Sequence, residues 1–135
     1  MKTFYDELGV SLGPNDSVLY FSSKGHNSMG GFDVFKSSLS NVGLWSKPEN
    51  LGYPLNAPND DVFYSELPDG KTAFYSANRE SGIGGMDIYK AKPIAGGSWE
   101  ISNMRFPINS SADDFGICFE KDREAGFLSS ARKGR

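Results

Sequence analysis

The chain has 135 residues, enough for one domain whose folding buries roughly two thirds of the unfolded surface, so a core needs no disulfide staple. The net charge is −3 with both signs dispersed, and no basic run marks a nucleic-acid partner. No apolar stretch approaches the ~20 residues of a membrane helix, and the single Cys118 and single His26 supply neither a disulfide framework nor a usual transition-metal cluster.

Aromatic residues make up 13% of the chain, with 16 Gly and 7 Pro, a composition that favours short strands and tight turns over helices. No stretch has helical periodicity. The opening MKTFYDE lacks the apolar core of a signal peptide, so the chain is not expected to be exported on its own. Residues 5–12 are the least clear strand. The turn Pro14-Asn15-Asp16-Ser17 follows, then an apolar-aromatic strand at 18–22 and a Gly-rich loop ending in Gly30-Gly31. A third strand is expected at 32–36, with Asp33 at its start, and a segment around Trp45 closes the unit.

The same order then returns. The pattern YPLNAPNDD, containing Asn56, Asp60 and Asp61, leads into a strand at 61–67. The turn Pro68-Asp69-Gly70-Lys71 suits a hairpin, since Pro presets φ and Gly tolerates positive φ. Strand 72–76 follows, then a loop ending in Gly84-Gly85, strand 86–90 with Asp87, and a segment around Trp99. The paired glycines imply positive φ or a backbone packed too closely for a Cβ. FPINSSADD, with Asn109, Asp113 and Asp114, opens a third unit with a strand at 115–120 and the turn Lys121-Asp122-Arg123-Glu124, and this unit stops after its second strand, at Ser129-Ser130-Ala131-Arg132.

Corresponding landmarks lie 54 residues apart between the first two units and 53 apart further on. Many separate landmarks agree, so the chain is a repeat of four short strands, with units at about 5–56, 57–109 and an incomplete 110–135. A four-strand unit of this length predicts an all-β fold of propeller-type antiparallel blades, about two and a half of them.

The wording of the unit, DGKTAFYSANRESGIGGMDIY followed by Trp, then NLGYPLN or FPIN, then Asp-Asp, resembles the PD40 (WD40-like) propeller repeat of TolB-like proteins. It is most similar to the version in envelope proteins of Bacteroidetes, where the propeller often precedes an OmpA-like peptidoglycan-binding domain in proteins tied to type IX secretion. The resemblance runs from about Asn15 to the end. It implies a periplasmic or outer-membrane-associated binding or scaffolding module. The implied partners are envelope proteins, some of them peptidoglycan-linked. Closed propellers have about four to eight blades. The chain is therefore expected either to be a piece of a longer propeller or to self-associate through open blade edges.

The carboxylates Asp33, Asp60, Asp61, Asp87, Asp113 and Asp114 recur with the repeat. An acid/base pair needs two different environments, and repeat-locked residues see similar ones. The expected role is to accept backbone hydrogen bonds and hold turns; calcium binding through Asp and carbonyl oxygens is the alternative, and no other cofactor is expected. Trp45 and Trp99 are read as packing between or along blades, with an exposed platform for sugar or peptide as the alternative. Lys24, Arg79 and Arg132 follow the second strand of each unit and form a candidate partner-binding rim. Cys118 is read as a small buried residue and His26 as an exposed loop residue. A hydrolytic propeller would need repeat-breaking polar residues converging on one face, for which only His26, Glu80 and Glu100 are available. The expectation is a non-catalytic protein.

Overall fold

The computed structural model describes residues 7–13, 15–26, 28, 30–119 and 126–133, with side chains between 117 and 127 left aside. These residues contain no helix. Ten strands form three antiparallel sheets: β1 (Glu7–Leu12), β2 (Val18–Ser23), β3 (Asp33–Ser38) and β4 (Glu49–Asn50); β5 (Asp61–Glu66), β6 (Ala73–Ala77), β7 (Asp87–Pro93) and β8 (Trp99–Asn103); and the pair β9 (Asp114–Phe119) and β10 (Gly126–Ser130). Within each sheet the strand order follows the chain. The fold is all-β and blade-like, and its sheets coincide with the sequence repeats.

Pairing fixes the equivalence of units. Ser23 faces Asp33 across β2–β3, and Ala77 faces Asp87 across β6–β7. Ser22 faces Leu8, and Ser76 faces Val62. Both first strands also carry an irregularity at the same place, around Gly9 and around Phe63, with φ of 63° and 58°. An L-residue in this region costs about 1–2 kcal/mol. Gly9 avoids that cost, and a Cβ there would meet the Phe63 ring of the neighbouring sheet.

The core lies between the first two sheets. Tyr20, Val34 and Leu55 of the first unit pack against Tyr64, Ala73, Tyr75, Ala77, Tyr89 and Ala91 of the second. The Tyr20 and Tyr64 rings lie 4.5 Å apart, and the Tyr20 hydroxyl donates to Glu66 at 2.8 Å. The strands expected at 18–22, 61–67, 72–76 and 86–90 appear within a residue or a few. The Trp45 segment departs from expectation. It holds only a single bridge, Leu39 to Trp45, and β4 is two residues long, whereas its counterpart β8 begins at Trp99 itself. Pro48 lacks the N–H that a longer β4 would donate. The turn at 121–124 and the surroundings of Cys118 lie outside the described residues and side chains.

Candidate functional site

The antiparallel order puts the loops at 24–32 and 78–86 and the connectors at 51–60 and 104–113 at one end of the sheets. The repeated Asn and Asp residues of the YPLNAPNDD, FPINSSADD and Gly-Gly-x-Asp segments fall at this end. Asn56 is fully buried. Its Oδ1 accepts the Val34 amide at 2.7 Å, and its Nδ2 donates to the Val34 carbonyl at 2.9 Å and to Asn50 Oδ1 at 2.7 Å. Asn109 repeats the arrangement on Ile88 at 2.6 and 2.8 Å and on Asn103 at 2.8 Å. Each Asn side chain supplies the bonds that an adjoining strand would supply, so the connector can leave the sheet without orphaning buried backbone groups.

The aspartates do related work. Asp33 accepts from Asn50 Nδ2 at 2.9 Å, and Asp87 from Asn103 Nδ2 at 3.1 Å and from the Ile83 amide at 2.5 Å. Asp60 accepts the Phe32 amide at 2.9 Å, and Asp113 the Met86 amide at 2.8 Å. Asp61 accepts the Ala57 amide at 2.8 Å, and Asp114 the Ser110 amide at 2.7 Å. The paired glycines follow from the same contacts. A Cβ on Gly31 or Gly85 would strike the carboxylate of Asp60 or Asp113, and one on Gly30 or Gly84 would strike the carbonyl of Pro58 or Ser110. Among the described residues, no group of three or more His, Cys, Asp or Glu side chains is assembled that could hold a metal ion.

Arg79 and Arg132 point into this end rather than outward. Arg79 donates to the carbonyls of Pro54 and Leu55 at 2.7 and 2.6 Å and lies 3.6 Å from Asp61. Arg132 donates to the carbonyls of Pro107 and Ile108 and reaches Asp114 at 2.8 Å. Lys24 does not belong with them: the strand register makes it equivalent to Asn78, and Gly25 stands where Arg79 does. Its ammonium lies 4.8 Å from the centre of the Phe32 ring.

The two Asp–Arg pairs differ at two positions: Ser110, whose hydroxyl reaches Asp114 at 3.2 Å, stands where the second unit has Ala57, and Ser130 stands where it has Ala77. Ser130 bonds both Arg132 Nε, at 2.8 Å, and Asp114, at 2.5 Å. Ala77 holds the equivalent place in the second unit, where Arg79 Nε is buried without a partner. Burial lifts the Asp61 pKa to about 7; the Ala57 amide and Arg79 oppose the rise, and nearby Asp33 adds to it. Burial also acts on Asp114, but the bonds from Ser130, Ser110 and Arg132 outweigh it and hold that carboxyl below its ordinary value.

His26 corrects its expected exposure. Its ring is largely covered, with centroids 6.4 Å from Phe21 and 5.8 Å from Phe35, and its Nε2 is 3.9 Å from Glu7. Glu7 is the register equivalent of Asp61, so His26 fills in the first unit a role like that of Arg79, which lies over Tyr75 and Tyr89. Glu80 is exposed at the same end, while Glu100 lies opposite Lys92 near the start of β8, toward the other end. The three candidate catalytic residues are not brought together.

Trp99 packs between sheets, with its indole Nε1 donating to the Leu51 carbonyl of the first unit at 2.8 Å. Trp45 has no earlier unit among the described residues to meet. Trp45 is exposed at 37%, but the most exposed aromatics among the described residues are Tyr53 and Phe106, at 68% and 79%, one on each connector and each preceding a cis proline. Beside Tyr53 lies an open cleft of about 480 Å³, lined also by Pro58, Asn59, Arg79, Glu80 and Ser81. The aromatic-Pro pair was visible in the repeat; its exposure was not.

The geometry thus defines a blade-like all-β repeat whose polar signature is turned inward to hold connectors, and whose connectors carry exposed aromatic rings. No protein-family model, no curated protein and no solved structure matches the chain.

Proposed function

We propose that the chain is a non-catalytic propeller segment of a bacterial envelope protein, and that its connector end binds protein or peptidoglycan-linked partners. The observation that carries this reading is the division of labour at that end. The repeated carboxylates accept backbone amides, whereas Tyr53 and Phe106 project a ring from each held connector. Aromatic rings supply large contact area at low conformational cost, which suits a recognition surface. The arginines brace the carbonyls just beyond each ring and so fix where it stands.

The reading is tested with peptidoglycan sacculi and with detergent-solubilised envelope extract. The wild-type chain should co-sediment with sacculi or cross-link to one discrete envelope protein. The double substitution Tyr53→Ala, Phe106→Ala should remove that association while leaving the melting temperature unchanged. Association that survives the double substitution would place the contact surface elsewhere.

A further inference from the structure

The β3–β4 hairpin of the first sheet breaks the repeat at two exposed positions. At the end of the sheets opposite the connectors, residues 39–48 join β3 to β4 and residues 94–98 join β7 to β8. Both hairpins close on the same bond: the Ser40 amide donates to the Leu44 carbonyl at 2.8 Å, and the Ile94 amide to the Ser98 carbonyl at 3.0 Å. Both place a glycine at positive φ just before that carbonyl, Gly43 at 81° and Gly97 at 77°. Yet Val42 stands where the second hairpin has Gly96, and Leu44 where it has Ser98. The turn therefore needs no apolar side chain at either place. Val42 and Leu44 are 79% and 67% exposed, so neither serves the core.

The backbone of this tip is closed upon itself. Ser40 accepts the Gly43 amide on its carbonyl and the Leu44 amide on its hydroxyl, both at 3.1 Å. At the base, the Leu39 amide donates to the Ser17 carbonyl and the Ser46 amide to the Ser38 carbonyl, both at 2.8 Å. Ile94 takes the place of Ser40 in the second hairpin and has no side-chain acceptor to offer. The tip also projects, since a Cβ added at Gly43 would meet nothing within 4 Å. Charge around it is nearly balanced: the charged residues of 36–49 are Lys36 and Glu49, paired at 3.7 Å, and the exposed Lys47.

We propose that the tip of the β3–β4 hairpin dips into a lipid surface, with the side chains of Val42 and Leu44 entering the acyl boundary. In water an open amide bonds solvent, and a protein pocket can supply acceptors of its own. Hydrocarbon supplies none, so a segment that enters it must satisfy its own backbone, which is what Ser40 does here. Two aliphatic side chains on a nearly neutral hairpin give a shallow, reversible contact driven by apolar burial rather than by charge. The hairpin lies at the end away from the connectors, so the inference does not depend on what the connector end binds.

Co-sedimentation with lipid vesicles reads the answer, using phosphatidylcholine alone and phosphatidylethanolamine mixed with phosphatidylglycerol. The wild-type chain should bind both, and added salt should leave its binding to phosphatidylcholine unchanged. The double substitution Val42→Gly, Leu44→Ser installs the residues of the second hairpin. It should lower the partition coefficient by about tenfold or more at an unchanged melting temperature. Ser40→Ala should weaken binding about several-fold, again at an unchanged melting temperature, because water replaces the lost acceptor and lipid does not. Leu44→Phe should retain binding. Tyr53→Ala with Phe106→Ala should leave vesicle binding intact, which separates this test from that of the connector end. A chain that stays in the supernatant with both lipids would overturn the proposal and assign the tip to a protein contact. Binding that survives Val42→Gly, Leu44→Ser would overturn it too.

Discussion

Asn56 grips Val34 by both backbone groups, accepting its amide at 2.7 Å and donating to its carbonyl at 2.9 Å, and Asn109 grips Ile88 in the same way. Orphaning a buried backbone group costs about 1–3 kcal/mol. Asn56→Leu, close in volume but without polar atoms, should therefore lower the unfolding free energy by about 2–5 kcal/mol in urea titration. Asn59→Leu, on the same connector but exposed, should cost far less.

Gly31 tests the close approach of Asp60. Gly31→Ala forces its new Cβ into that carboxylate and should cost about 1–3 kcal/mol, the usual range for overpacking. At Gly13 a Cβ would find its nearest neighbour at 3.5 Å, an ordinary contact, so Gly13→Ala should be close to neutral. Equal effects at the two positions, measured by thermal unfolding, would refute this account of the paired glycines.

Asp61 makes stability depend on pH in an unusual direction. Its carboxyl titrates near 7 in the folded chain and near 3.8 unfolded, so the folded state holds a proton that the unfolded state releases. The resulting stabilisation is complete below pH ~4 and fades as pH rises toward 7, by up to about 1.4 kcal/mol per pH unit. Asp61→Asn should flatten the dependence between pH 4.5 and 7.5. Ala77→Ser should copy the Ser130 arrangement, giving Arg79 Nε an acceptor and Asp61 a donor, and should move the transition to lower pH. Denaturant midpoints measured across that range decide the matter. Asp114 acts oppositely, with its contribution lost only as pH falls below the ordinary carboxyl range.

The two tryptophans should separate cleanly. Trp99→Phe removes the bond to the Leu51 carbonyl and should cost about 1 kcal/mol or more. Trp45→Phe breaks no bond between sheets and should cost less in the dilute single chain. Unfolding of the two variants side by side measures the difference.

Much of this was legible because a repeat fixes both period and pattern. The apolar-aromatic run at 18–22, the alternation around Asp87 in 86–90, the turn Pro68-Asp69-Gly70-Lys71, and the Gly-Gly pairs required an all-β unit of about 53 residues. Asn56 and Asp61 were visible as repeated polar residues, and a turn-holding role followed from their chemistry.

The tertiary structure alone decided which residues face out. Arg79 and Lys24 sit in near-identical sequence settings, yet strand register places Gly25, not Lys24, at the Arg79 position. Whether a guanidinium meets solvent or the carbonyls of a connector depends on a chain segment some two dozen residues away. Tyr53 and Leu55 are neighbours of similar apolarity; one is exposed and the other fully buried. Local sequence determines that both prefer burial, but only the packing of successive sheets determines which of them finds it. The same reason governs Val10 and Tyr64: strand propensity favours an apolar residue at each, and Tyr64 becomes core because the first sheet packs against it, whereas no sheet among the described residues packs against Val10.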